Sequence, residues 1–149
     1  MADDTGHIAR LFADAVPEFA AGTVEIKAVA RKPGYRCKLA LSSRDPRVDC
    51  IGVCVGVRGS RIKAVVDALG RERLDLVRWH DSPEQLIINA LQPATVEKVI
   101  LHPAEHRAVV VVQPDQVSLV LGRRGENRQL ASELSGWRIE VEEAGGALT

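Results

Sequence analysis

The sequence predicts an α+β fold built as two tandem units, each ordered helix, strand, strand, short helix, glycine turn, helix, strand. Three observations carry this: a four-residue glycine motif that recurs at a fixed interval, apolar residues at helical spacing beside each copy, and short alternating runs where strands belong.

The interval is 66 residues. GVRG at Gly56, Val57, Arg58 and Gly59 returns as GRRG at Gly122, Arg123, Arg124 and Gly125. Each copy follows a short apolar run, 51–55 or 117–121, and opens a segment of helical character that ends at a glycine, Gly70 or Gly136, again 66 residues apart. An alternating strand comes next in both: Leu74, Asp75, Leu76 in the first and Ile139, Glu140, Val141 in the second. The upstream strands begin alike, with Thr23, Val24, Glu25 answering Thr95, Val96, Glu97. Self-similarity at this many positions marks a duplicated unit.

In the first unit, Ile8, Leu11, Phe12 and Ala15 fall at i, i+3, i+4 and i+7, the stripe of an amphipathic helix that stops before Pro17. Runs 23–30 and 35–42 are β-rich and separated by Lys32, Pro33 and Gly34, so they are expected to pair as a hairpin. After a polar loop at 43–48, Asp49 is placed to cap a short helix through Val55. Ile62, Val65, Val66 and Leu69 mark the buried face of the next helix, and 73–79 supply a closing strand. The second unit opens at Ser82, Pro83, Glu84, Gln85: a capping serine, a proline at the first helical position and a glutamine able to reach back to the cap. Its helix is expected to run to about Leu91 and its strands over 94–101 and 107–113, with Pro114 and Asp115 starting a short helix ahead of GRRG. The expected domains are 1–80 and 81–143, with 144–149 a frayed tail. Two residues between Trp79 and Ser82 are too few for a flexible linker, so the units are expected to pack rigidly together.

Bulk properties narrow the class. Hydrophobic residues at 46% and charged residues at 27% are the balance of a globular protein rather than a disordered or fibrous one. A net charge of zero hides a segregation: residues 21–80 carry thirteen Lys or Arg against six Asp or Glu, whereas 1–20 and 81–149 are net acidic. A basic half is the footprint expected of a polyanion partner. No run nears the ~18 apolar residues of a membrane span, and the N-terminus lacks a secretory pattern. Three cysteines, Cys37, Cys50 and Cys54, cannot pair evenly, which points to reduced thiols and a cytoplasmic protein, expected to be a monomer.

Twelve glycines in 149 residues yield about one GxxG by chance, so one copy alone means nothing. Two copies at equivalent places in a repeat, both with arginine inside, mean more. Paired glycines let the backbone turn tightly and let a phosphate chain approach without interference from Cβ. The N–H groups opening the following helix offer partial positive charge to an anion, and Arg58, Arg123 and Arg124 add full charges. Such a loop clamps a sugar–phosphate chain. Arg61, Asn127 and Arg128 lie two or three residues further on and are expected to reach phosphate or base.

Other chemistry fits poorly. An NTPase phosphate loop needs GxxxxGK[ST], but Gly59 leads into Ser60 and Arg61; the dinucleotide fingerprint needs a glycine where Cys54 stands. Cys50 and Cys54 sit one helical turn apart without third and fourth metal ligands at plausible spacing, His102 and His106 read as turn residues, and no Ser/His/acid arrangement stands out. No enzyme, metal or cofactor is therefore expected. Aromatic residues are only 3% of the chain, which argues against base stacking, and Trp79 and Trp137 are expected to be core residues.

The segments VPEFAAGTVEIKAVARKPG, CIGVCVGVRGSRI, LDLVRW, NALQPATV, VVVQPDQVSLVLGRRGENRQLA and GWRIEV resemble the tandem KH region of the bacterial NusA family over about residues 8–141. The resemblance implies two tandem type II KH domains, each a three-stranded sheet with helices on one face, with RNA extended beside each GxxG loop. KH loops of this kind grip about four single-stranded nucleotides. It further implies that Gly56, Val57, Arg58 and Gly59 form one clamp and Gly122, Arg123, Arg124 and Gly125 the other. The implied function is transcription elongation, termination or antitermination, with RNA polymerase or other transcription factors as further partners. RNA maturation, ribosome assembly and a protein-binding scaffold are the competing roles. The family usually carries a polymerase-binding domain and an OB-type barrel ahead of the KH pair, which these residues lack, as in a KH-only protein or a fragment.

Overall fold

The same order of elements is laid down twice in the computed structural model, which describes residues 4–145 and divides between Trp79 and His80 into two units. The first contains α1 (Asp4–Ala15), a single turn α2 (Pro17–Ala20), β1 (Val24–Lys32), β2 (Arg36–Ser43), α3 (Cys50–Val55), α4 (Ser60–Ala68) and β3 (Arg73–Arg78). Pro17 does more than end α1. Lacking an N–H, it sits at the first position of α2, where none is needed. Strand β2 is central, antiparallel to β1 and parallel to β3. A parallel pair requires a crossover, and α3, the glycine turn and α4 provide it. Alternation on β2 sends Cys37, Leu39 and Leu41 to the helical side, where they meet Ile8 and Phe12 of α1, Cys50 and Cys54 of α3, and Val65 of α4 in one core. Phe12 is wholly buried, so Phe12→Ala would cost about 3–5 kcal/mol.

The second unit contains α5 (Pro83–Leu91), β4 (Lys98–His102), β5 (Arg107–Val112), α6 (Val117–Leu121), α7 (Glu126–Ser135) and β6 (Arg138–Glu143). Its sheet repeats the first: β5 is central, antiparallel to β4 and parallel to β6. Leu86, Ile87, Ala90 and Leu91 of α5 are buried, as are Ala108, Val110 and Val112 of β5 and Leu130, Ala131 and Leu134 of α7. This is the α+β, three-stranded arrangement anticipated from the resemblance.

Several local expectations are corrected. Strand β4 starts at Lys98 rather than 94, because the Thr95 N–H is taken by Oε1 of Gln116 at 2.8 Å instead of a neighbouring strand. Ser82 does cap α5, its Oγ accepting from the Gln85 N–H at 3.3 Å, but the Gln85 side chain runs forward to Oδ1 of Asn89 at 2.9 Å rather than back. Asp49 caps α3 through the Ile51 N–H. Ala144, the first residue of the anticipated tail, still donates to the Val112 carbonyl at 2.7 Å, and 146–149 lie outside the described residues. Among the described residues no helix is long and apolar enough to cross a membrane.

Candidate nucleic-acid interface

Each glycine turn joins a short helix to a longer one, and the two turns have nearly the same backbone. Gly56 has φ 79° and ψ 176°, and Gly122 has φ 71° and ψ 178°, a region open essentially to glycine alone. A Cβ on Gly56 would lie 2.7 Å from Cγ of Arg61, and one on Gly122 would lie 2.6 Å from Cβ of Asn127. The third residue of each turn is left-handed although it is not glycine: Arg58 at φ 56°, ψ 27° and Arg124 at φ 58°, ψ 23°. The closing glycines, Gly59 and Gly125, are left-handed too, and each donates its N–H to the first glycine's carbonyl at 3.1 Å.

Two of the sequence-predicted contact residues turn inward. Nη1 of Arg61 donates to the Val53 carbonyl at 2.8 Å and to Glu18 at 3.1 Å. Nδ2 of Asn127 donates to the carbonyls of Leu119 and Val120 at 3.1 and 3.0 Å, and the residue is buried. Both side chains satisfy carbonyls that the preceding short helix leaves open at its end. They were expected to reach a ligand; they hold the turn instead, because the sharp exit at Gly56 or Gly122 brings the next helix back against the last one.

The other predicted residues face outward. Val57, Arg58, Arg123, Arg124 and Arg128 are exposed, with Val57 at 80%. Among the described residues Arg58, Arg123, Arg124 and Arg128 make no ion pair, whereas Arg31, Arg36, Arg44, Arg47, Arg61, Arg73, Arg78, Arg107 and Arg138 all do. The turns therefore present positive charge without a counter-ion among the described residues.

In the second unit the turn borders a cleft of about 310 Å³, lined by Arg124, Gly125 and Arg128 on one side and by Arg138 and Glu140 of β6 on the other. The strand side was not foreseen. Glu140 Oε1 accepts from Arg107 at 3.0 Å, and Oε2 stands 3.6 Å from Nε of Arg138. The first unit carries the same constellation: Asp75 Oδ2 takes Arg36 at 2.6 Å, and Oδ1 stands 3.4 Å from Nε of Arg73. Arg36 lies opposite Arg73 in register, as Arg107 lies opposite Arg138. One difference separates them. Lys38 lies opposite Asp75 and reaches Oδ2 at 2.8 Å, whereas Val109 lies opposite Glu140. Burial alone would push the Asp75 carboxyl up, but Lys38 and Arg36 outweigh it and hold it below the ordinary carboxylate range. Burial also depresses the Lys38 ammonium, against the pull of Asp75. The signal for this constellation was in the text: arginine, apolar, acid, apolar at 73–76 and again at 138–141, with an arginine opening each middle strand.

The remaining polar groups build no second centre. Among the described residues no group of three or more His, Cys, Asp or Glu side chains is placed to hold a metal ion. Cys50 and Cys54 are buried, and burial pushes the Cys54 thiol up to about 12. Trp137 is half-buried with the His106 ring 5.0 Å away, and Trp79 is half-buried under Nζ of Lys27 at 5.6 Å.

Comparison with known proteins agrees with this geometry. Residues 3–79 match the family model of the NusA-like first KH domain, and residues 83–148 match that of the NusA-like second KH domain. The chain is 50% identical over 129 residues to the transcription termination/antitermination protein NusA of Thermus thermophilus. It is 43% identical over 136 residues to the proteins of the same name from Bacillus subtilis and Halalkalibacterium halodurans. These alignments cover 87–91% of this chain but only 33–37% of the relatives, so the chain spans about a third of their length. In fold it is similar to the crystal structure of APE1850, with a TM-score of 0.67 over 92% of this chain and 95% of that one at 19% identity.

Proposed function

Because this chain belongs to the family of NusA-like KH-domain proteins, we propose that it binds single-stranded RNA along its two glycine turns and acts in transcription elongation, termination and antitermination, with RNA polymerase or another transcription factor as its protein partner. One observation carries the RNA reading: arginines without a counter-ion among the described residues stand on two turns of the same strained backbone, each at the start of a helix. Backbone strain of about 1–3 kcal/mol per residue persists where the surroundings impose it, and it clusters at binding sites. Phosphates supply the missing anion. A scaffold that bound only protein would have no need of two such turns. The device binds and positions RNA; it has no role for a catalytic group, and it acts in the cytoplasm.

The test replaces Val57 and Arg58 with Asp, and separately Arg123 and Arg124 with Asp, then measures binding to single-stranded RNA of increasing length. Each pair is expected to weaken binding and both together nearly to abolish it, with circular dichroism unchanged. Joined sites on one strand should also bind it far more tightly than either alone. Affinity indifferent to both pairs ends the RNA reading. Recovery of RNA polymerase with the tagged chain from cell extract tests the transcription role.

A further inference from the structure

We propose that the end of the first sheet, where the β1–β2 hairpin meets the start of β3, is a further contact for RNA: Tyr35 stacks on a base, and Lys32, Arg71 and Arg73 take the phosphates beside it. This rests on the reading that RNA lies along the turns. Of the five Phe, Trp and Tyr side chains, Phe12 is wholly buried, Phe19 packs on it at 5.8 Å and both tryptophans are half-buried. Tyr35 alone is exposed, at 64%. Lys32 holds its ammonium over the ring at 5.2 Å, and much of the ring stays open. So few aromatic residues cannot make a continuous stacking surface, but one open ring is enough for one base.

Local bonds fix this surface and decide its charge. The Gly34 N–H donates to Oε1 of Glu72 at 3.0 Å, Arg31 donates to both oxygens of the same carboxylate at 2.8 and 2.9 Å, and the Arg73 N–H donates to the Tyr35 carbonyl at 3.0 Å. The hairpin and residues 71–73 are thereby stitched side by side, at the opposite end of α4 from its glycine turn. Glu72, the acid of this stretch, is buried with Arg31 as its partner, so the residues left outside are basic. Arg71 is exposed and left-handed at φ 68°, as Arg58 and Arg124 are, and it makes no ion pair among the described residues. Arg73 keeps 62% of its side chain exposed beside Asp75. The second unit puts His106 in the place of Tyr35, its carbonyl accepting from the Arg138 N–H at 2.8 Å. There the ring lies 5.0 Å from Trp137, and the preceding Glu105 is exposed and paired with Arg107. One ring is committed to the protein beside an acid; the other is open among cations. An open ring among cations complements a polyanion that carries flat bases, which an acidic protein surface does not.

The experiment measures binding of single-stranded oligoadenylate of about twelve nucleotides, long enough for both clamps and the ring. Tyr35→Phe keeps the stacking face and should bind like the parent, whereas Tyr35→Ala should bind about tenfold more weakly with its salt dependence unchanged. Arg71→Gln should flatten the salt slope by about 0.7, one phosphate contact having gone. Circular dichroism checks that each variant folds. Parental affinity in Tyr35→Ala, or Tyr35→Phe as weak as Tyr35→Ala, overturns the inference; if the aspartate substitutions in the turns still weaken binding, the RNA reading itself stands. A Tyr35→Ala chain that keeps its RNA affinity but no longer recovers RNA polymerase from extract would make the surface a protein contact, which also overturns the inference. A parent chain that binds no oligomer overturns both readings.

Discussion

The two glycine turns share a backbone to within about ten degrees and keep one arginine in common, Arg58 or Arg124, but differ at the other outward position and along the helices that follow. Val57, 80% exposed, stands where the second turn has Arg123; Ile62 and Val66 stand where α7 has Arg128 and Ser132. On the strand side the order reverses. Asp75 is enclosed by Arg36 and by Lys38, which is fully buried, whereas Glu140 is nearly half exposed and lies opposite a valine. The first unit thus spends its charge internally and offers an aliphatic approach to its turn, while the second offers its charge to the outside. The lesson is that the turn's geometry depends on the two glycines and one inward side chain, Arg61 or Asn127, so every other position is free to set what is bound.

The largest effect should separate the two carboxylates. Asp75→Asn strands a buried lysine and a buried arginine, which costs about 3–5 kcal/mol, while Glu140→Gln at an exposed pair costs less than about 1 kcal/mol. Urea unfolding midpoints measure both. The pH dependence has a definite sign. With its folded-state value held below the unfolded value of about 3.9, Asp75 contributes stability that is present above about pH 4 and lost as pH falls through the folded value. In the Asp75→Asn variant that part of the acid transition should be absent, and the part due to Glu72, held down against its burial by Arg31 and the Gly34 N–H, should remain.

Next comes the pair of first glycines. An alanine at 122 would meet the backbone nitrogen of Asn127 at 2.9 Å as well as its Cβ, in a helix that cannot shift without breaking the amide's two bonds. At 56 it would meet the methylenes of Arg61, which have some freedom to move aside. Gly122→Ala should cost about 3 kcal/mol and Gly56→Ala about 2 kcal/mol, read from thermal or urea unfolding. Equal costs would show that backbone strain, not the close approach, sets the penalty.

Salt should sharpen the contrast from the outside. Binding a single strand releases counter-ions with a slope of about −0.7 per phosphate neutralised, so Arg123→Gln with Arg124→Gln should flatten the salt dependence by about 1.4 and Arg58→Gln by about 0.7. Affinities measured across a range of salt concentrations give both slopes.

Much of this was legible in the chain. A 66-residue offset between glycine motifs, Phe12 at helical spacing and alternation over 74–76 and 139–141 were enough for two sheets and their crossovers, because period and punctuation are local properties. The turn residues were legible for the same reason. Asn127 and Arg61 were misread because their roles depend on where the carbonyls of the previous helix end up, which is set by the dihedrals of Gly56 and Gly122. Arg138 and Glu140 were missed because they join Arg124 and Arg128 only once β6 is laid parallel to β5, a contact made across the crossover.

The smallest predicted effect bears on why an arginine occupies a left-handed position at all. Glycine would sit there without strain, and both turns nonetheless use arginine, Arg58 and Arg124. The left-handed conformation costs about 1–2 kcal/mol, and glycine returns part of that gain through the greater freedom it gives the unfolded chain, about 0.5–1 kcal/mol. Arg124→Gly should therefore stabilise the protein by about 0.5 kcal/mol, a rise of about 1–2 °C in Tm for a chain of this size. RNA affinity should move the other way, since the substitution removes a cation from the cleft. A variant that melts higher and binds RNA as well as the parent would mean that the arginine is there for the turn and not for the ligand. A variant that melts higher and binds more weakly would show stability given up for a charge held where the phosphate chain runs.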